Sequence, residues 1–325
     1  MNPRLLSMRT LTRAGMVITA LVTWPGMTAQ AGEGHPMTIV AANYPLAYFA
    51  ERLGGEWVRV SLPVPADEDP AYWQPDSKTI QAMQQADLVA LNGADYEQWL
   101  NLISLPRRKR VDTSAAFRSR YLVIKEAVTH SHGGSGTHSH DGTASTTWLD
   151  FSQAIQQSTA LAAAIIRQRP DLQRTIEQNQ TFLTADLLAL DAAMQRVANQ
   201  LHGQTVVASH PVYQYLARRY GLNLESVHWE PQEMPPAAEW IALRERLSRH
   251  PAQLMVWEDT PSNGIRQALT GLKLKPVDFL PCANRPRHGN FLSVMRANIA
   301  NLEATITSPQ NTQTQKPRNS KGSSQ

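Results

Sequence analysis

Apolar and polar positions along this chain alternate between two rhythms. MTIVAANYPLAYFAERLGG (37–55) runs as a short apolar strand, a turn at Asn43-Tyr44-Pro45 and an amphipathic helix stopped by glycine. VRVSLPV (58–64) reads as the next strand. SKTIQAMQQA (77–86) has apolar residues at helical spacing behind a capping Ser77, and DLVALNG (87–93) is a continuous apolar run closed by Gly93. Strands alternating with helices at this spacing predict βαβ units and a mainly parallel sheet.

From about Asp150 to Leu201 the pattern is helical and rich in Ala, Gln and Leu, interrupted at Pro170. The stretch 171–201 is long enough for a helix of over 40 Å at ~1.5 Å per residue. A second series follows: QTVVASH, the helix PVYQYLARRYG ended by Gly221, LNLESVHW, a helix over 237–249, QLMVWED, and helices near 263–272 and 291–306. The predicted fold class is α/β, with two lobes, each a mainly parallel sheet flanked by helices, joined by one long rigid helix. The N-terminal lobe is placed at 32–165, the linking helix at 166–201 and the C-terminal lobe at 202–307. A length of 325 residues allows each lobe a core of its own.

Charge changes the picture only at the ends. Three of the excess basic residues (Arg4, Arg9, Arg13) precede residue 32 and three (Lys316, Arg318, Lys321) follow residue 307. Subtracting those six from the formal +4 leaves the body at −2. No basic footprint for nucleic acid remains. The first three flank AGMVITALV and a small-x-small site, Ala29-Gln30-Ala31, so residues 1–31 are expected to be a secretory signal peptide cleaved after Ala31. That predicts an exported, periplasmic chain without a membrane span of its own, monomeric, with a polar disordered tail at 308–325. The single cysteine, Cys282, excludes an internal disulfide.

Two groups of residues carry candidate chemistry. His130, His132, His138 and His140 lie in HSHGGSGTHSH, within a predicted flexible loop at 129–141 that has no apolar residues to pack. Imidazoles there have no core to join, and they are borderline metal ligands suited to weak capture of zinc, copper or nickel. His210, Glu258, Asp259 and Asp278 follow or end predicted strands of the second lobe, where ligands bind in open α/β sheets. No H-E-x-x-H, G-x-S-x-G or G-x-x-x-x-G-K-[ST] motif is present, and Cys282 beside Pro281 forms no recognisable nucleophile arrangement. The chemistry therefore points to binding and not to catalysis.

Further stretches resemble the zinc and manganese class of periplasmic solute-binding proteins that feed ABC importers. They are AANYPL (41–46), PADEDPAYWQP (65–75), ADLVALNGADYE (86–97), the His-rich tract before WLD (148–150), VVASHPVYQYLARRYGL (206–222), EPQEMP (230–235) and GNFLSVMRANIANLEATI (289–306). The resemblance implies two lobes bridged by a rigid helix, a divalent metal ion in the cleft (zinc foremost, manganese second), and an ABC permease of the inner membrane as partner. The family draws four ligands from a D-P-H loop, an H-x-W-L-D segment, a residue after the first strand of the second lobe and an Asp near the last strand. At those positions this chain has Ala71, Thr146, His210 and either Leu280 or Asp278, so it resembles a divergent member with most ligands replaced.

Two explanations follow for the missing donors. In the first, Asp67, Glu68, Asp69, Tyr72, Asp150, Glu258, Asp259 and Asp278 supply a harder, oxygen-rich site around His210, with Asp69, Tyr72, Glu258 and Asp278 as the closest candidates. In the second, the cleft takes an organic cation or a metal chelate, with Trp73, Trp148, Trp229, Trp257, Tyr44 and Tyr72 as an aromatic cage. A third possibility is a periplasmic metal buffer or chaperone acting through the His-rich tract.

Overall fold

The computed structural model of the protein describes residues 35–124, 129–132, 136–139, 142–201 and 203–307. The expected signal peptide, the C-terminal tail and His140 lie outside them. The first sheet contains β1 (Met37–Ala41), β2 (Val58–Ser61), β3 (Leu88–Leu91) and β4 (Arg110–Asp112). Its order is β2-β1-β3-β4, with every pair parallel. Helices α1 (Tyr44–Gly54) and α2 (Ser77–Gln85) make the crossovers. Asn43 caps α1 by accepting from the Leu46 N–H at 3.1 Å. Asp76, not Ser77, caps α2, its carboxylate accepting from the Thr79 N–H at 2.8 Å. A carboxylate one residue earlier both satisfies the orphan amide and complements the helix dipole.

Two short strands, β5 (Val123–Ile124) and β8 (Gly142–Thr143), pair antiparallel at the edge of this lobe. Between them the His-rich tract departs from the expected loop. Its backbone forms β6 (Thr129–His132) and β7 (Gly136–Ser139), antiparallel, with His130 opposite His138. Ladder pairing uses only backbone groups, so a tract without apolar residues still forms it.

Helix α3 (Phe151–Gln168) is capped by Asp150, which accepts from the Ser152 and Gln153 amides at 3.0 and 3.3 Å. The long helix α4 (Gln173–Leu201) follows. It begins at Gln173 and not at 166, because Pro170 opens a separate turn, Pro170–Leu172, whose ring cannot continue the preceding helix. The second lobe contains β9 (Thr205–Ala208), α5 (Gln214–Tyr220), β10 (Asn223–Ser226), α6 (Ala237–Arg249), β11 (Ala252–Trp257), α7 (Asn263–Gly271), β12 (Lys275–Asp278) and α8 (Phe291–Thr307). Gly221, at φ +66°, ends α5 in the left-handed conformation glycine accepts without strain. The sheet order β10-β9-β11-β12, all parallel, repeats the topology of the first lobe.

Each lobe has a core of its own, around Met83, Val89 and Trp99 in the first and Leu243, Met255 and Leu269 in the second, and a third buried cluster is continuous across both sheets. It runs from Ile39 and Leu88 through Leu183, Leu187 and Met194 of α4 to Val206, Val256 and Phe291. Helix α4 packs against α1, α3 and α8, so it is a shared wall as much as a link. Among the described residues no helix is long and apolar enough to cross a membrane. Leu187 is fully buried in that wall. Leu187→Ala is expected to cost about 2–5 kcal/mol, read as a fall in the urea midpoint of a single transition reporting both lobes.

Candidate functional site

The strand orders fix where a ligand can enter. In the second sheet the chain passes from β9 to β10 on one side and then crosses to β11 on the other. A crevice therefore opens outside the carboxyl ends of β9 and β11. Ser209 and His210 leave β9 there, and Glu258 and Asp259 leave β11. Ser209 locks the turn, its N–H donating to Val256 O at 2.9 Å and its carbonyl accepting from Trp229 N at 2.8 Å. Its hydroxyl accepts from Glu258 N at 3.4 Å. The equivalent strand ends of the first lobe carry Asn43 and Asn92, both fully buried. Asn92 Oδ1 accepts from Gln157 at 3.0 Å, Thr147 at 3.2 Å and Asn43 at 3.3 Å, a polar network that holds the facing wall rigid.

Between the two sets of strand ends lies a cleft of about 1370 Å³. Asp69, Tyr72, His210 and Glu258 line it, as do Ala71, Thr146 and Leu280. His210 is 5% exposed, and its ring stands 6.1 Å from that of His228. Burial, then the charges of Asp69, Glu230 and Asp259, push the Glu258 carboxyl up to about 8. Burial and the carboxylates Asp69, Glu258 and Glu230 raise the Tyr72 phenol well above its ordinary value. Asp69, Tyr72, Glu230, Glu258 and Asp259 thus share one negative field, which a cation entering the cleft relieves.

Ala71, Thr146 and Leu280 are each engaged in the structure. Ala71 N–H donates to Asp69 Oδ1 at 2.9 Å, which fixes the turn of the acidic loop, and Trp73 anchors that loop against Trp99. Thr146 Oγ1 donates across the cleft to Val212 O at 2.5 Å. Leu280 is held through its backbone by buried Asn298, at 3.0 and 2.7 Å. Among the described residues no group of three or more His, Cys, Asp or Glu side chains is placed to hold a metal ion.

Several expected site residues lie elsewhere. Asp278 is absent from the cleft lining; Arg266 binds its carboxylate at 2.8 and 3.2 Å and Thr260 donates to it at 3.0 Å. The strand end carries it toward α7, so Leu280, two residues on, reaches the cleft instead. Asp150 is committed to capping α3 and to Arg218 at 3.4 Å. The aromatic cage does not form. Trp229 packs tilted between Trp240 and Trp257, Trp73 lies against Trp99, Tyr44 is 5% exposed, and Trp148, which borders the cleft, is itself fully buried and donates to Pro281 O at 2.8 Å. These rings are core, because their area is worth more in packing than at a wet cleft. His228 and Glu230 went unmatched to any role in the sequence, although VHWE after β10 carries the same signal of polar residues leaving a strand end that marked His210.

A family model described as "ZnuA: Zinc-uptake complex component A periplasmic" matches residues 39–305. The chain belongs to the ZnuA family. Relatives of this ZnuA-family chain include the zinc-binding lipoprotein AdcA of Streptococcus pneumoniae, 26% identical over 280 residues, with 83% of this chain and 56% of AdcA covered. The high-affinity zinc uptake system protein ZnuA of Bacillus subtilis is 23% identical over 289 residues, covering 84% and 89%. The chain therefore spans little more than half the length of AdcA. The fold is shared with the Zn(II)-bound ZnuA-like domain of S. pneumoniae AdcA, at TM-score 0.71 and 22% identity, covering 84% of this chain and all of that domain. It is shared also with the metal-dependent lipoprotein YcdH of B. subtilis, at TM-score 0.70, 20% identity and coverage of 82% and 98%.

Glu97, beneath the cleft, is 7% exposed, and its carboxylate accepts from the Asn92 and Gly93 amides at 2.5 and 3.2 Å. Burial outweighs those bonds and lifts its pKa from 4.5 to about 8. A carboxyl raised on folding stabilises below its unfolded pKa, and that contribution is lost as pH climbs through the folded value. Thermal unfolding of the metal-free protein between pH 5 and about 8.5 is expected to show a falling midpoint, with a shallower slope in Glu97→Gln.

Proposed function

We propose that this protein is the extracytoplasmic receptor of an ABC importer for a divalent metal ion, zinc foremost and manganese second, which it hands to an inner-membrane permease. The carrying observation is the convergence of buried His210 and the carboxylate field of Asp69, Glu230, Glu258 and Asp259 on a cleft at the sheets' switch points. Zinc-binding relatives and the family's zinc-uptake description support the cargo. The donors it would take from the cleft are drawn from Asp69, Tyr72, His210 and Glu258, a borderline nitrogen with hard oxygens. The role is binding and release, with the chain working as a periplasmic monomer.

A second reading, a metal buffer acting through the His-rich tract, is favoured by the pairing of His130 opposite His138 in the hairpin. Stoichiometry separates the two. Native mass spectrometry with elemental analysis of chain isolated from the periplasm should find one divalent ion, retained when residues 130–140 are deleted and lost in His210→Ala. Several weakly held ions that vanish with the deletion, and none lost with His210→Ala, would replace the receptor with the buffer.

A further inference from the structure

The near-neutral body of the chain conceals a local concentration of charge. Residues 98–111 contain no acid and carry the run Arg107-Arg108-Lys109-Arg110. The run forms one helical turn, Arg107–Lys109, and enters the edge strand β4 at Arg110. Strand β4 is parallel to β3, whose carboxyl end faces the cleft, so the run sits at the amino ends of the strands, the far end of the sheet. None of residues 99–110 lines the cleft.

The turn is fixed to the lobe. Lys109 Nζ donates to the carbonyls of Gln84 and Gln85 at the end of α2, at 2.7 and 3.4 Å, and Gln84 Nε2 donates back to Ser104 O at 3.1 Å. Arg107 and Arg108 are exposed and Arg110 is half-buried; none of the three makes an ion pair with a described residue. Neighbouring carboxylates are engaged elsewhere. Asp112 is held by Arg118 at 2.8 Å, and Asp87, just before β3, accepts from the Thr38 N–H and hydroxyl at 2.7 and 2.8 Å. On the connection leading into the run, Leu105 is buried with Val89 and Trp99, whereas Leu102 is left 74% exposed. Fixed cations beside an exposed apolar side chain match a surface that is anionic outside and apolar beneath. Phosphates alone, free or along a nucleic acid, would satisfy the arginines and give Leu102 nothing to bury in.

We propose that this end of the first lobe docks on an anionic phospholipid bilayer, with Arg107, Arg108 and Arg110 meeting lipid phosphates and Leu102 entering the acyl boundary. Lys109 acts by holding the turn in place, so little ordering cost falls on binding. Docked this way, the chain keeps its cleft directed away from the lipid, because the cleft opens at the opposite ends of the same strands. The proposal is independent of what the cleft carries.

The test is co-sedimentation of chain isolated from the periplasm with vesicles of phosphatidylcholine, alone or with about one third phosphatidylglycerol. Binding is expected only with phosphatidylglycerol present and should weaken as salt is raised. Each arginine is worth roughly fivefold in affinity, so Arg107→Gln/Arg108→Gln should bind more than about tenfold weaker. Leu102→Ser should bind about fivefold weaker with the salt dependence unchanged, since apolar burial is not screened. Arg244→Gln/Arg249→Gln, which removes the same charge from exposed positions on α6, should bind as the parent does. All three variants should keep the parent's thermal unfolding midpoint. No binding to phosphatidylglycerol vesicles, or equal losses in the two double variants, overturns the proposal. If Leu102→Ser binds as the parent does and a DNA duplex is bound as tightly as the vesicles, the arginines serve a soluble polyanion and the bilayer proposal falls.

Discussion

The packing of α4 between the two halves is the constraint on which the rest depends. Leu183, Leu187, Leu190 and Met194 are buried along its length, and they belong to one apolar cluster that spans both lobes. A hinge that opened widely would have to expose this shared surface, and each buried leucine is worth roughly 1.5–3 kcal/mol. The two rows of strand ends are therefore held facing one another, and the cleft exists before any ligand arrives. Loops and side chains remain as the parts free to adapt.

The second tether has the same effect at the mouth of the cleft. The segment from Pro281 to Arg285 belongs to the C-terminal lobe but bonds to the N-terminal one, through Trp148 on Pro281, Tyr44 on Ala283 and Asn284 on Pro65 and Glu68. Cys282 at its centre adopts φ +62°, a left-handed conformation costly to a residue with a side chain. These bonds hold the strap against that cost. They also fix the distance between the acidic loop after β2 and the cationic segment after β12, so the cleft's charge pattern is a property of the lobe contact and of neither lobe alone.

Ala71, Thr146 and Leu280 leave no holes in the cleft wall: one position fixes a turn, one bonds across the cleft and one contributes an apolar wall. Meanwhile the negative field persists, carried by Asp69, Glu230, Glu258 and Asp259. The buried Asn92 network and Glu97 keep the first lobe's strand ends rigid beneath it. A field with few strict ligands attracts a cation without dictating its coordination, which leaves the choice of guest to shape and to the surrounding charges.

The alternation of apolar runs with helical spacing was enough to determine β1 to β3 and β9 to β11 and their parallel sense, because those follow from local periodicity and from turn residues such as Gly221, but the three-residue edge strand β4 is too short to show a period. Order and spacing of short motifs likewise determined the family, and the polar residue leaving β9 marked His210. Helix capping was legible only to within one residue, since Asp76 and Ser77 are both acceptable caps. Tertiary structure alone decided that Asp278 turns away to Arg266, that the tryptophans join the core, that His228 and Glu230 stand beside the site, and that Arg287 reaches the cleft. Those outcomes depend on which way a strand end points and on what packs against it, relations between residues far apart in the chain that no local pattern encodes.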